Sequence, residues 1–182
     1  MAGRTSRSGR AEGTRETILT VAERMFAEHG VFAVSNELRQ AMPAETGDSA
    51  DVRDWVACLV RPDTDHLAEL GSPTWFARFA TQVMTDPVLR EIMIDETFGP
   101  TIQQTLDGLN RCLPDLPLPV RIERGEMARH LLMHMLAERE RALAGNTQAT
   151  ASTWPEYASG LIDAITGIWL APVTPSTSHG RS

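Results

Sequence analysis

The residues best placed to do chemistry are Glu126, His130, His134 and Glu138, which recur at every fourth position in EMARHLLMHMLAE. On a helix that spacing draws them into one slowly drifting stripe. A His pair at i, i+4 can chelate a divalent metal, with a carboxylate as third ligand. Neither an HExxH order nor a second cluster of ligand residues stands elsewhere in the sequence to complete the shell. The stripe therefore reads as a solvated helix face, or as one His lining a pocket, with no metal site and no cofactor. Cys58 and Cys112 have no CxxC or Cys/His spacing and read as reduced, buried thiols. No GxSxG, glycine-rich phosphate loop or Cys near a His in sequence is present, so no catalytic set is expected and the chain is not read as an enzyme.

A second group is rich in aromatics and methionine: Trp55, Trp75, Phe76, Phe79, Met93, Phe98, Ile102, His130, Met133 and His134. Rigid rings and pliable thioethers suit a pocket for a small apolar ligand, with His130 or Gln103 to orient it. Taken singly, each of these residues reads equally well as plain core.

A third group is basic. All 17 basic residues are Arg, on a chain of net charge −7. Arg4, Arg7, Arg10 and Arg15 face only Glu12, so the first fifteen residues are positive and the rest of the chain is acidic. A basic arm on an acidic body suits contact with nucleic-acid phosphates, and a solubilising tail looks the same.

The elements that must position these residues are helices. Thr14 can cap a helix whose Ile18, Ala22, Met25 and Phe26 share a face, with Gly30 as its stop. A weaker pattern covers 37–42, and Pro43 and Gly47 lie in a polar break. Asp48 or Ser49 can cap the next helix, which Pro62 should kink or break. Ser72-Pro73 and Asp86-Pro87 are cap and first-turn pairs for two more. Gly99-Pro100 interrupts the pattern before TIQQTLDGLNRCL, and PDLPLP reads as a stiff, extended connector. Long amphipathic helices are expected over 119–143 and 155–170. No segment alternates as a strand does, so the chain reads as all-α. Its expected organisation is a basic arm over 1–13, a head over 14–42, a body over 48–171 and a disordered tail over 172–182.

In the last helix Gly160, Ala164 and Gly167 fall on one stripe, flanked by Leu161, Ile165 and Ile168. Small residues on one line admit a second helix at close range, and glycine inside a helix costs ~1 kcal/mol relative to alanine. The stripe reads as a homodimer interface or, failing that, as close packing within the protomer.

At 182 residues, with 42% hydrophobic and 23% charged residues, the chain can bury a real core. It has no apolar run near the ~18 residues of a membrane span and no apolar signal-peptide core, which points to the cytoplasm.

TRETILTVAERMFAEHGVFAVS resembles the first helix, and the entry to the second, of the tetracycline-repressor-like (TetR) transcriptional regulators. The capped helices that follow are similar in layout to that family's ligand-binding and dimerisation body. The resemblance implies a homodimer with two heads in successive major grooves of DNA and a small apolar effector in the body. If the head is incomplete, DNA contact falls back on the phosphate backbone through Arg4, Arg7, Arg10, Arg15 and Ser35, in a weakened, non-specific and salt-sensitive form. In the family the turn after Phe32-Ala33-Val34-Ser35 leads to a second helix and then a recognition helix. Here Asn36 is followed directly by ELRQAMPAETGDSADV, and residues 36–47 are too few for two helices and a turn, which need on the order of 20. The head thus reads as a remnant lacking its second and third helices, through a deletion or a shortened, divergent design. The competing reading is a dimeric ligand-binding protein descended from such a regulator that no longer reads DNA.

Overall fold

The computed structural model describes residues 50–87, 90, 99–145 and 152–174. Five helices are defined among them: α1 Val52–Leu70, α2 Phe76–Thr85, α3 Gly99–Cys112, α4 Leu118–Ala144 and α5 Trp154–Leu170. No strand occurs among the described residues, as the sequence pattern implies. The expected head, with Arg4, Arg7, Arg10, Arg15 and Ser35, lies outside the described residues, as do Met93, Phe98 and most of the expected C-terminal tail.

Helix α1 opens on a reciprocal cap. The Asp51 carboxylate accepts from Asp54 N at 3.0 Å, and the Asp54 carboxylate accepts from Asp51 N at 3.0 Å. The cap is therefore Asp51, a little later than Asp48 or Ser49. Pro62 lies inside the helix without ending it, so of the expected kink or break the break does not occur. Its neighbours Val60, Thr64 and Leu67 are buried on the same helix, and that packing offsets the ~3 kcal/mol helix penalty of an interior proline. The Thr64 hydroxyl also donates to the Val60 and Arg61 carbonyls at 3.2 and 3.0 Å. Gly71 ends the helix at φ +71°, where a side chain would be strained.

Helix α2 starts at Phe76 rather than at Ser72-Pro73. Its N-cap residue, Trp75, supplies no side-chain bond. The cap comes instead from α4: the Glu140 carboxylate accepts from Ala77 N and Arg78 N, both at 3.1 Å, and from Arg78 Nε at 3.0 Å. Further along, the Thr81 hydroxyl lies 2.9 Å from the Met133 carbonyl, a second tie between α2 and α4.

The segment between α3 and α4 is a tight turn, not an extended spacer. Leu116 N donates to Leu113 O at 3.2 Å. Arg121 holds the turn from α4, donating from Nε to Leu116 O (2.6 Å) and from Nη2 to Leu113 O (2.7 Å) and Pro114 O (2.9 Å). Five fixed donors on one planar group suit arginine to such clustered carbonyls.

The core forms where α1 packs on α3 and α5, and α4 packs on α2 and α5. Trp55, Val56, Val60, Leu67, Leu109, Leu136, Leu161, Ile165 and Trp169 are all buried there. Each such side chain contributes about 1.5–3 kcal/mol relative to exposure. Gly108 is required for the α1–α3 approach, since a Cβ at that position would lie 2.4 Å from Trp55 Cε2.

Two buried arginines of α4 fasten α5 at both ends. Arg124 donates to the carbonyls of Trp169 (2.7 Å) and Ala171 (2.6 Å), closing the C-terminus of α5. Arg139 donates to Ser152 ahead of α5 and lies over the Trp154 and Tyr157 rings at 4.8 and 4.4 Å. The start of α4 thus meets the end of α5, and the pair runs antiparallel.

Candidate functional site: an apolar cavity walled by five helices

Each of the five helices contributes one stripe to a cavity of about 530 Å³. From α1 come Leu59, Asp63 and Leu67, four residues apart. Helix α2 adds Phe76, Ala77, Ala80 and Met84, and α3 adds Ile102, Gln103, Leu106 and Asn110. The longest stripe, on α4, runs from Arg121 through Gly125, Ala128, Leu132 and Met133 to Leu136. Ile165 and Trp169 of α5 lie on the wall as well. The helical repeat brings i and i+4 to one face, so five apolar stripes turned inward make a hollow when small residues stand where large ones would fill it. Gly125 is such a position. A Cβ there would find only the Trp169 indole, at 3.8 Å.

The volume falls within the roughly 300–1,000 Å³ range of pockets that hold small organic ligands. Among the described residues the wall is apolar apart from Asp63, Gln103, Asn110, Arg121, Glu126 and Arg129. Glu126 and Arg129 are ion-paired. The hydrogen bond from Arg129 holds the Glu126 carboxyl below the usual carboxylate range, against a smaller opposing effect of burial, and the charges of Arg129, Arg90 and His130 add to the lowering. Gln103 Nε2 donates to Asp107 at 2.9 Å, so its amide is held at the wall.

Of the residues picked out in the sequence, Phe76, Ile102, Met133 and Gln103 lie on this wall. Trp55 does not: it is buried against Gly108, on the α1–α3 contact. Trp75 is 67% exposed and carries the Arg78 guanidinium 3.8 Å above its ring. Phe79 is half-buried but is not a wall residue. His130 and His134 point outward from α4 as a stacked pair, 6.0 Å between centroids. Glu126 is 3.7 Å from His130. No group of three or more metal-ligating side chains occurs among the described residues.

Among the wall residues that sequence reasoning missed are Leu59, Asp63, Leu67, Asn110, Arg121, Gly125, Arg129 and Trp169. The i, i+4 spacing of Leu59, Asp63 and Leu67 offered a signal. Gly125 offered none, because its role depends on Trp169 arriving from another helix.

The small-residue stripe of α5 divides in space. Gly160, Ala164 and Gly167 are exposed, and a Cβ at either glycine would meet nothing within 4 Å. Leu161 and Ile165 turn the other way into the core, and Ile168 is half-buried between. Leu170 and Met127 are exposed at 59% and 57%. Cys58 is buried and Cys112 half-buried, and neither is in a disulfide. No helix among the described residues is long and apolar enough to cross a membrane.

Residues 57–167, more than half of the chain, match a family model described as "Tetracyclin repressor-like, C-terminal domain". No curated protein and no solved structure matched the chain.

Proposed function

The chain belongs to the tetracycline repressor-like family, and on that footing we propose that it is a ligand-responsive transcriptional regulator, a repressor, acting as a cytoplasmic homodimer. The observation that carries the reading is the cavity. Five helices line a partly open apolar space of about 530 Å³, and two of its walls, α4 and α5, are latched to each other at both ends by Arg124 and Arg139. A ligand that favours one packing of α2 and α3 against that rigid pair shifts the body between states, and only such differential binding can be transmitted.

The exposed face of α5 is the proposed dimer surface. Two glycines in the interior of an apolar helix cost about 1 kcal/mol each, which a closely approaching second helix recovers. Leu161 and Ile165, buried within the protomer, would back that face rather than contribute to it.

In this reading the N-terminal arginines engage DNA phosphates, which position a protein but carry little sequence information. The test is titration of the purified protein against DNA from its own upstream region over a range of salt. A sequence-specific complex that persists at physiological salt and is released by a cavity ligand supports the regulator, and it requires base contacts beyond those of the arginines. Binding that ignores sequence and disappears at moderate salt overturns it, and leaves a dimeric ligand-binding protein that no longer reads DNA.

A further inference from the structure

Two carboxylates, Asp63 and Glu126, and two guanidiniums, Arg121 and Arg129, stand among the described wall residues. Glu126 and Arg129 neutralise each other, and Asp63 has an interaction of its own. Arg121 is different. Its guanidinium donates to three backbone carbonyls of the α3–α4 turn but pairs with no carboxylate among the described residues, and its Nη1 makes no hydrogen bond there. Asn110, one turn before Leu113, places a side-chain amide with no partner among the described residues on the same wall. The buried wall atoms that lack a partner, Arg129 Nε and Trp169 Nε1, are both donors. Arg121 also stands in the first turn of α4, which has no acidic residue and no side-chain cap, so the positive end of that helix adds to the field. In an apolar wall, a guanidinium with no carboxylate partner among the described residues and an amide on the same wall suit a ligand that brings an acceptor and one negative charge.

We propose that the ligand is an apolar molecule bearing a single carboxylate, with the carboxylate held between Arg121 and Asn110 and the apolar body running along α4 past Gly125 to Trp169 and Leu136. The inference rests on the cavity being the effector site. A monoanion fits better than a phosphate. Arg121 offers one free guanidinium nitrogen and one positive charge, and burying a second negative charge without a partner is costly. The missing side chain at Gly125 leaves the Trp169 indole bare for the body of the ligand, 3.8 Å from where a Cβ would stand.

Three probes test this on the full chain: N-phenyl-1-naphthylamine, a neutral fluorescent reporter of apolar cavities, displaced by decanoate or by 1-decanol. The reporter should bind the parent protein and lose its binding in Gly125→Trp, which fills the space beside Trp169. Decanoate should displace it at least about tenfold more effectively than decanol, since hydrogen bonds to a charged group are among the strong ones. Asn110→Leu and Arg121→Gln should each erase most of that preference and leave decanol within about twofold, as expected for loss of a headgroup contact alone. Arg121 also braces the turn, so Asn110→Leu, which touches none of those bonds, carries the test if Arg121→Gln fails to fold. Equal displacement by the two probes, displacement by neither, or a preference untouched by Asn110→Leu overturns the carboxylate proposal while the effector cavity stands. A reporter that never binds, or binds Gly125→Trp as well as the parent, overturns the cavity itself.

Discussion

Replacing Glu140 with alanine should be among the most damaging single substitutions in this chain. The carboxylate is 1% exposed and accepts three hydrogen bonds, from Ala77 N, Arg78 N and Arg78 Nε, at 3.0–3.1 Å. Removing it strands two backbone donors at the start of α2 and a guanidinium that is 15% exposed. Breaking one partner out of a buried pair costs about 3–5 kcal/mol. For a chain of this length that lowers the melting temperature by roughly 6–20 °C. The control is Glu138→Ala, two residues away, where a 67% exposed carboxylate pairs with an exposed Arg141. An exposed pair of that kind is worth about 0–1 kcal/mol, so the control should hardly move. Thermal melts of the parent, both single variants, Arg78→Ala and the Glu140/Arg78 double variant close a cycle that isolates the coupling. Hydrogen exchange adds a local readout: the amides of Ala77 and Arg78 should become fast-exchanging in Glu140→Ala, loosening the cavity wall at Phe76. If Glu140→Ala melts within about 2 °C of the parent, or the cycle shows no coupling, the carboxylate does not cap α2 and the argument fails.

Three other outcomes follow from named contacts. Gly108→Ala should destabilise by about 1–3 kcal/mol, because its methyl would sit 2.4 Å from the indole of a buried tryptophan; a denaturant midpoint equal to the parent's would show that α1 and α3 are not that close. Gly167→Leu should convert a dimer to monomer or aggregate in light scattering. Since the protomer leaves open space at that position, an unchanged dimer with a helix stabilised by up to ~1 kcal/mol would refute the α5 interface. The carboxyls of Glu126 and Glu156 are held below the usual range, by the hydrogen bond from Arg129 and by those from Thr153 respectively. A depressed carboxyl stabilises the fold above its unfolded pKa and loses that contribution as pH falls through the folded value. Melting temperature should therefore be level from neutrality down to the ordinary carboxylate range near ~4.3 and decline below it, and less so in the Glu126→Gln/Glu156→Gln variant. Asp65, whose carboxyl burial pushes up, acts in the opposite sense, so a rise on acidification would show that it dominates.

The helices near 119–143 and 155–170 were legible as long runs with local signals at their ends, although the first is only weakly amphipathic, contrary to expectation, because it buries Arg124, Arg139 and Glu140. The Thr153–Glu156 capping box needs only residues three apart, and it sits where α5 begins. The start of α2 was not legible. Ser72-Pro73 carries the local signature of a helix start, but the acceptor that satisfies α2 comes from Glu140, 63 positions along the chain. At Pro62 the break, one of the two outcomes the local rule allows, does not occur, because residues on both sides of it are buried. For the cavity, residue type was a partial guide. Phe76, Ile102 and Met133 reached the wall, whereas Trp55 and Trp75 are equally aromatic and lie elsewhere, one against Gly108 and the other under Arg78.

The sequence by itself determined that the chain is helical, where its longest helices run, and that its opening stretch resembles the head of a TetR regulator. Periodicity, caps and short motifs are written within a few residues of each other, and no distant partner is needed to read them. Only the tertiary structure decided which face of each helix lines the cavity, that α5 turns Leu161 and Ile165 inward and Gly160 and Gly167 outward, and that Arg121 stands on the wall with no carboxylate partner among the described residues. Those outcomes depend on how five helices cross, and hydrophobic burial, which drives the crossing, is non-directional until close packing selects one arrangement.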